Sequence, residues 1–238
     1  EHREEGGTPS IVGVFRTALA FKVKAEIGDD VIRSLEFRCV AEAFSAWTQN
    51  PKIVLLGHLD VPRLAIISFL VRHKDGYLHH ELVIALLNDL FGIQARAGCA
   101  CAGPYAHRVL GLSDDMSCAV HDAVLAGYNS VKPGWARVTL AYFLPRLTRE
   151  YIIKAVDAVA THGHNLLDFY RMDVYSGRWV RNKFSFCCPD FSKRILAPAH
   201  ASATGPGSTS QPSSQIPEDK LQHYFERGLR ILLHTQET

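Results

Sequence analysis

The sequence predicts an α/β fold in which helices pack on one small mixed sheet. The chain has 238 residues, of which 47% are hydrophobic and 21% are charged, and this is the composition of a globular protein with a core. Segments with helical spacing of apolar residues alternate with short apolar runs that end near glycine or proline. Such alternation is typical of helices that cover the strands of a sheet.

The elements follow in chain order from their boundary signals. Apolar residues recur at helical spacing from Ile11 to Ile27, and Gly28 stands where a helix C-cap belongs. Asp29 begins a second helical pattern, which runs to Trp47. The same criteria predict strands over 53–56 and 64–71, a helix over 81–90, an extended segment over 93–96, a short helix ending at 110, a helix over 113–128, a strand over 135–143 and a helix over 148–170.

The last part of the chain has a different composition. Residues 197–217 are rich in Ala, Ser, Gly and Pro, and their low apolar content predicts a flexible linker. The residues that follow predict an amphipathic helix, and we expect it to dock on its own domain. Its apolar face consists of Leu221, Tyr224, Phe225, Leu229 and Leu232.

Charge, hydropathy and cysteine spacing exclude several classes of protein. Lys plus Arg number 26 against 24 for Asp plus Glu, so no basic excess favours nucleic acid. The apolar runs are shorter than the roughly 20 residues of a bilayer-spanning helix. Two pairs of cysteines, 99 with 101 and 187 with 188, are too close for local disulfides. We therefore expect free thiols in a reducing compartment, the cytoplasm or an organelle, and the charged start at Glu1 predicts that a preceding segment is missing.

The first candidate binding segment is Gly6-Gly7-Thr8-Pro9, which precedes the first helix. Threonine is a helix cap, proline suits the first helical position, and free amides at a helix start hold phosphate. We expect Gly7 and Thr8 to offer such an anion site. The alternative is a helix cap that binds nothing.

The second candidate segment runs from Arg96 to Pro104 through small residues and leads from a strand into a helix. A thiol just before a helix N-terminus is favoured as thiolate, and more so beside an arginine. Cys101 is therefore a candidate nucleophile. The alternative is a pair of inert buried cysteines, Cys99 and Cys101, since free cysteine is among the most buried residue types.

Other polar residues give weaker signals. No pair within one set of candidate ligands has the spacing of zinc ligands, so we expect no metal site. The set is Cys99, Cys101, His79, His80, Cys187 and Cys188. His79 and His80 stand before a helix, where capping is the expected role, and His162 and His164 are expected at the surface. Arg137 is a charge on an otherwise apolar strand, so it requires a core ion pair or binds a substrate carboxylate.

Taken together, three segments resemble the C-terminal part of class V aminotransferases, the pyridoxal-phosphate family that includes the cysteine desulfurases. They are Glu-Gly-Gly-Thr-Pro at 5–9, Leu-Asn-Asp-Leu-Phe-Gly-Ile-Gln-Ala-Arg-Ala-Gly-Cys-Ala-Cys-Ala-Gly-Pro-Tyr at 87–105 and Pro-Gly-Trp-Ala-Arg-Val at 133–138. The resemblance runs to Trp179, and the tail beyond it resembles no family.

The resemblance implies roles for the candidate residues. In a homodimer with active sites at the subunit boundary, Thr8 would bind the phosphate of pyridoxal 5'-phosphate held by the other subunit. Arg137 would bind the α-carboxylate of the amino-acid substrate. Cys101 would carry the persulfide of a desulfurase and pass it to a sulfur acceptor protein, with Arg96 as the arginine of the same loop. Cys99 replaces a residue that is often histidine there.

The resemblance also implies a division of the chain. Residues 1–28 would be the end of the large domain with the linking helix, 29–181 the small C-terminal α/β domain of a fold-type I enzyme, 182–217 an irregular segment with the linker, and 218–238 the terminal helix. No lysine here stands in the family's Ser-x-His-Lys setting, so we expect this chain to be a fragment that does not hold the cofactor covalently. The competing hypothesis is a non-catalytic remnant or interaction module.

Overall fold

The computed structural model describes residues 6–98, 103–182 and 216–234. Two helices open the fold, α1 (Ile11–Ile27) and α2 (Asp29–Trp47). Gly28 separates them at a φ of 89°, a backbone conformation that glycine adopts without strain. Helix α1 has no buried residue, whereas α2 buries Cys39, Val40, Ala43 and Trp47, so the core begins at α2.

A five-stranded antiparallel sheet forms the centre. Its main path is β1–β2–β5–β4, with β3 paired to the other end of β2. The strands are β1 (Ile53–Leu55), β2 (Ile66–His73), β3 (Gly76–Tyr77), β4 (Arg96–Gly98) and β5 (Trp135–Thr139). Every pairing is antiparallel, so the prediction of a mixed sheet is wrong. A loop joins β1 to β2 and a tight turn joins β2 to β3, so the chain reverses direction between these neighbours.

Alternate residues of the two central strands face the main core. Ile67, Phe69 and Val71 of β2 are at most 1% exposed, and Ala136 and Val138 of β5 lie beside them. Two helices pack there with α2, namely α3 (His80–Phe91) and α6 (Arg146–His162). Every second residue of the central strands points to the apolar faces of these helices, and together they form the main core.

The opposite face of the sheet carries a smaller cluster. Helix α4 (Gly103–Leu110) contributes Ala106, which is 1% exposed, and packs with Leu56 and Trp135. Helix α5 (Asp114–Leu125) follows, and the hydroxyl of its N-cap Ser113 accepts a hydrogen bond from the amide of Met116 at 3.2 Å. The predicted caps of α3 and α5 are thereby confirmed.

The C-terminal part adds a hairpin and a helix. Strands β6 (Tyr170–Met172) and β7 (Trp179–Arg181) pair with each other outside the main sheet. Helix α7 (Glu218–His234) packs on α3 and α6 through Leu221 and Leu232, which are 7% and 0% exposed. The prediction that this helix docks on its own domain is confirmed. The linker prediction for 197–217 falls almost entirely outside the described residues.

Three predicted elements are shorter in the structure, among them the helix predicted over 113–128, which ends at Leu125. The helix predicted to reach 170 ends at His162, and a 3-10 helix (Gly163–Phe169) replaces its last part. A Cβ on Gly163 would lie 3.0 Å from Leu86 of α3, so tertiary packing sets this change. The strand predicted over 135–143 ends at Thr139, where pairing with β2 stops. None of the described helices combines the length and hydropathy that crossing a bilayer requires.

Candidate functional site

Two arginines from neighbouring strands lie side by side on the sheet. The register of β4 and β5 places Arg96 directly opposite Arg137. Residues directly opposite each other in an antiparallel pair project to the same face, with Cβ atoms about 4.5–5.5 Å apart. Ser68 of β2 flanks Arg137 on its other side. The structure therefore brings together two of the residues that the sequence identified separately.

No carboxylate neutralises this pair among the described residues. Neither Arg96 nor Arg137 forms an ion pair there, and Arg137 is half-buried. The predicted alternative of a core ion pair is thus not formed within the described part of the chain. Like charges directly opposite on a sheet destabilise it. A bound anion between the two guanidinium groups removes that repulsion, and a carboxylate matches their bidentate geometry.

A close approach of two glycines fixes the end of the arginine strand. A Cβ on Gly134 would lie 2.6 Å from the backbone Cα of Gly98, closer than any real contact. Gly98 itself has a φ of 100°, which turns the chain out of β4 toward residues 99–102. The Oε1 atom of Glu81 lies 4.0 Å from the Cβ position of Gly98. The two glycines hold β4 in the register that pairs the arginines.

An aromatic wall borders the same face. The rings of Tyr105 and Trp135 meet edge to face with their centroids 6.3 Å apart. The Tyr105 hydroxyl and one terminal nitrogen of Arg63 lie 3.7 and 3.8 Å from the same point, the Cβ position of Gly57. The Nε of Arg63 is buried without a hydrogen-bond partner in the described structure, while its guanidinium carbon sits 5.0 Å from the ring centre of Phe44.

The sequence analysis missed Arg63 and Tyr105 as site candidates. Arg63 precedes an apolar strand, and the same signal had identified Arg137 on its strand. Tyr105 stands at the end of the segment of small residues that follows β4. Only the fold shows that the two side chains converge on Gly57, because 42 positions separate them along the chain.

The structure places Thr8 and Gly7 apart from this face. Both are exposed, and no hydrogen bond among the described residues connects them to the sheet. The predicted cap is wrong, because the helix begins at Ile11 and the carbonyl of Ser10 accepts its first bond, from the amide of Val14 at 2.9 Å. Thr8 and Pro9 therefore lie two residues before Ser10 and Ile11, which occupy the N-cap and the first helical position.

The cysteines divide between described and undescribed positions. Cys101 and Cys99 lie outside the described residues, so their roles stay predictions. Cys39 is buried, and burial raises the pKa of its thiol. Cys118 is exposed on α5. Neither of these two has the environment of an activated nucleophile, since burial disfavours the thiolate of Cys39 and Cys118 sits on a helix interior position.

The histidines serve the fold. His79 caps α3: its Nδ1 accepts a hydrogen bond from the amide of Glu81 at 3.2 Å, and its Nε2 donates to the carbonyl of Ser130 at 3.0 Å. Burial lowers the pKa of His80 to about 4. His162 and His164 are half-buried, so their predicted surface position is wrong. In the described ranges, no three His, Cys, Asp or Glu side chains cluster as metal ligands.

A family model matches the first part of the chain. The Aminotransferase class-V family matches residues 1–130, more than half of the chain. The chain belongs to the class V aminotransferase family. Members of this family are generally pyridoxal-phosphate-dependent enzymes that act on amino acids. No match was found among curated proteins.

The chemistry of the described residues is compatible with a bound phosphate and a bound carboxylate. Thr8 is exposed and its side chain has no hydrogen bond within the described structure, so its hydroxyl is available to an anion. The arginine face fits a substrate carboxylate. Strands β1, β2, β4 and β5 and helix α4 contain no lysine, so this face does not supply a covalent attachment.

Proposed function

We propose that this chain is the C-terminal part of a fold-type I, pyridoxal-phosphate-dependent enzyme that acts on an amino acid. In this proposal Arg137, assisted by Arg96, binds the α-carboxylate of the substrate. The observation that carries it is the cross-strand pair of arginines without a carboxylate partner among the described residues. Family membership supports the same class of substrate.

The chain's own residues then perform binding and orientation. The guanidinium of Arg137 donates two parallel hydrogen bonds to the carboxylate, and this fork fixes both the position and the rotation of the substrate. Half-burial of Arg137 strengthens the attraction relative to a fully hydrated pair. The edge-to-face pair of Tyr105 and Trp135 bounds the adjacent space and limits access of water to that side. When bound, the cofactor supplies the electron sink for bond cleavage at the substrate's α-carbon.

Thr8 acts toward a second subunit in this proposal. Because it is exposed ahead of α1 and bonded to no described part of its own chain, its hydroxyl is free to donate to a phosphate held by a partner in a homodimer. Gly7 beside it lacks a side chain, so the backbone can approach that phosphate closely.

The finer proposal is a cysteine desulfurase with Cys101 as nucleophile. The Cys101 thiolate forms a sulfur–sulfur bond with the thiol sulfur of substrate cysteine. The substrate's carbon–sulfur bond breaks, and its electron pair remains on carbon and takes up a proton. The product on this chain is a persulfide, which a sulfur acceptor protein then receives.

The carboxylate proposal is tested on the full-length protein and on the chain itself. In the enzyme, Arg137→Lys should raise KM at least tenfold with a smaller change in kcat, because lysine keeps the charge but loses the bidentate fork. Arg171→Lys, on the separate β6–β7 hairpin, should leave KM unchanged. In the chain alone, propionate should shift the Nε–H resonances of Arg96 and Arg137 together and leave that of Arg171 in place. Unshifted resonances with an unchanged KM would disprove the proposal.

The desulfurase proposal is tested by limiting alkylation with iodoacetamide across a pH series, followed by peptide mapping. Cys101 should react first, with an apparent pKa below the roughly 8.5 of a free thiol. Exposed Cys118 provides the matched control for simple accessibility, and buried Cys39 the control for intact folding. If Cys118 or Cys99 reacts before Cys101, the nucleophile is misassigned and a transaminase, which needs no thiol, is favoured.

An interaction module is the second candidate, and one observation favours it. Seven large apolar side chains of α1 are between 52% and 71% exposed, which is a surface for another protein. The visible spectrum of the full-length protein distinguishes the candidates. A cofactor absorption band that borohydride abolishes supports the enzyme, and its absence supports the module.

A further inference from the structure

A second cleft lies on the side of the fold built by the C-terminal elements. Its volume is about 1140 Å³, slightly above the roughly 300–1,000 Å³ that is usual for small-molecule sites. Its walls are formed by the C-terminal end of α3, the first two turns of α6, the β6–β7 hairpin and one face of α7. Most of these walls lie beyond residue 130, where the family match ends. Helices α3 and α6 pack on the sheet face to which Ala136 and Val138 point, whereas Arg137, which lies between them on β5, points to the opposite face. The cleft is therefore separate from the arginine face.

Exposed apolar side chains converge on this cleft. Five large apolar side chains line this one concave surface and are nevertheless between 41% and 51% exposed. They are Phe169, Val180, Ile216, Tyr224 and Ile231. Tyr224 and Ile231 are seven residues apart on α7, so they present one stripe of the helix. Concave apolar surface of this kind is the usual wall of a ligand site.

The polar groups in the cleft leave hydrogen-bond donors without acceptors. The hydroxyls of Tyr151 and Tyr170 are already used, since they donate to the carbonyl of Phe91 at 2.8 Å and to a carboxylate oxygen of Asp89 at 2.9 Å. The Nε1–H of Trp179, by contrast, is buried and has no partner in the described structure. A buried donor without an acceptor is unfavourable, so an acceptor from outside the chain would stabilise it.

The charges that line the cleft are Asp89, Arg181 and Arg227. Asp89 accepts the hydrogen bond from Tyr170, whereas the two arginines form no ion pair within the described structure. The cleft therefore has a net positive charge above apolar walls. Burial raises the pKa of Tyr151 to about 12 and that of Tyr170 further still, so both phenols remain neutral at physiological pH.

We propose that this cleft binds a hydrophobic carboxylate: a ligand with an extended apolar body and one carboxylate head. The apolar body occupies the stripe of α7 and the hairpin, the head lies between Arg181 and Arg227, and a carboxylate oxygen accepts the hydrogen bond from Trp179 Nε1. Positive charge selects an anion over a cation or a neutral amphiphile, and the wall composition selects an apolar body over a polar metabolite.

Isothermal titration of the 238-residue chain with dodecanoate tests this site. We expect saturable binding with one site per chain. Dodecylammonium, which has the same apolar body and the opposite charge, should bind at least tenfold more weakly. The double variant Arg181→Gln/Arg227→Gln should lose at least tenfold in dodecanoate affinity. Both arginines are exposed, so this variant should keep the fold, and far-ultraviolet circular dichroism verifies it.

Two further variants separate specific binding from general hydrophobic adsorption. Arg230→Gln removes a charge from the same helix at a position outside the cleft and should change nothing. Trp179→Phe keeps an aromatic ring but removes the donor, and should weaken binding roughly tenfold. Absence of saturable binding, equal binding of dodecylammonium, or an unaffected arginine double variant would each overturn the proposal. The proposal would also be overturned if dodecanoate bound only after residues 184–215 had been replaced by a Gly-Ser linker. That result would mean that this segment of the chain, and not a ligand, occupies the cleft.

Discussion

Gly134→Ala is the most informative single change for the sheet that carries the arginines. The new Cβ would lie 2.6 Å from both the Cα and the carbonyl carbon of Gly98, and 3.0 Å from its oxygen. Ordinary van der Waals contact begins at 3.4 Å, so one backbone must move by about 0.8 Å. All three atoms belong to backbone, and no side-chain rotation can relieve the overlap.

The cost follows from what that movement breaks. Gly98 pairs with Trp135 at the end of the β4–β5 ladder, and a shift of this size lengthens the hydrogen bonds there beyond useful distance. Loss of one or two backbone hydrogen bonds, at about 0.5–1.5 kcal/mol each, predicts a destabilisation of about 1–3 kcal/mol. For a chain of this length that corresponds to a fall in Tm of about 2–12 °C.

Thermal unfolding followed by circular dichroism measures the effect. Gly76→Ala is the matched control, because Gly76 is also next to a strand pairing, has an ordinary φ, and has nothing within 4 Å of its Cβ position. We expect its stability to stay within about 0.5 kcal/mol of the unmodified protein. Equal Tm values for the two variants would show that β4 and β5 do not approach as described, and the placement of Arg96 beside Arg137 would fall with them.

Three further predictions concern stability. Burial lowers the pKa of His80 to about 4, so the stability that its neutral ring contributes is present above about pH 6.5 and is lost as the pH falls toward 4. In urea unfolding, the free energy of unfolding of His80→Gln should therefore depend less on pH in this range. A weaker pH dependence for the exposed control His121→Gln would contradict the assignment. Burial raises the pKa of Tyr151 to about 12, so its contribution to stability is present below about pH 10 and is lost between pH 10 and 12. Tyr151→Phe should reduce this fall, of which the part due to Tyr170 remains, and should cost about 1 kcal/mol at neutral pH. Arg149→Ala should lower the free energy of unfolding by about 2 kcal/mol, because the Arg149 side chain is 11% exposed and its guanidinium donates two hydrogen bonds to the carboxylate of Glu42 on α2. Arg146→Ala, which removes an exposed ion pair, should lower it by less than about 0.5 kcal/mol. Equal losses in denaturant titrations would refute this distinction.

Helices with clear ends were predictable from sequence. Helix α3 was predicted over 81–90 and runs from His80 to Phe91, because a capping side chain precedes it and a left-handed Gly92 ends it. The 3-10 segment after His162 was not predictable, since the contact of Gly163 with α3 sets it and no local signal marks it. The β6–β7 hairpin was missed for a similar reason: each strand has three residues, too few to show a period of two.

The candidate site was predictable one residue at a time. Arg137 was identified because it is a charge on an apolar strand, and Arg96 because it precedes a segment of small residues. Their adjacency depends on the register of two strands that are 36 residues apart at their closest, and local patterns carry no register information across such a distance. The burial of Arg63 Nε without a hydrogen-bond partner in the described structure could likewise not be predicted from sequence, because it depends on how the side chains pack.

The lack of any buried residue in α1 has a consequence for local opening of the fold. A helix of 17 residues without a buried side chain is close to the length at which helices in water are marginal. Helices α3 and α6, by contrast, bury much of their apolar surface in the main core. Amide hydrogens of residues 11–27 should therefore exchange with solvent orders of magnitude faster than those of α3 and α6, through openings that leave the sheet intact. Anything that covers α1 would slow that exchange first, which makes its amides a direct reporter of association.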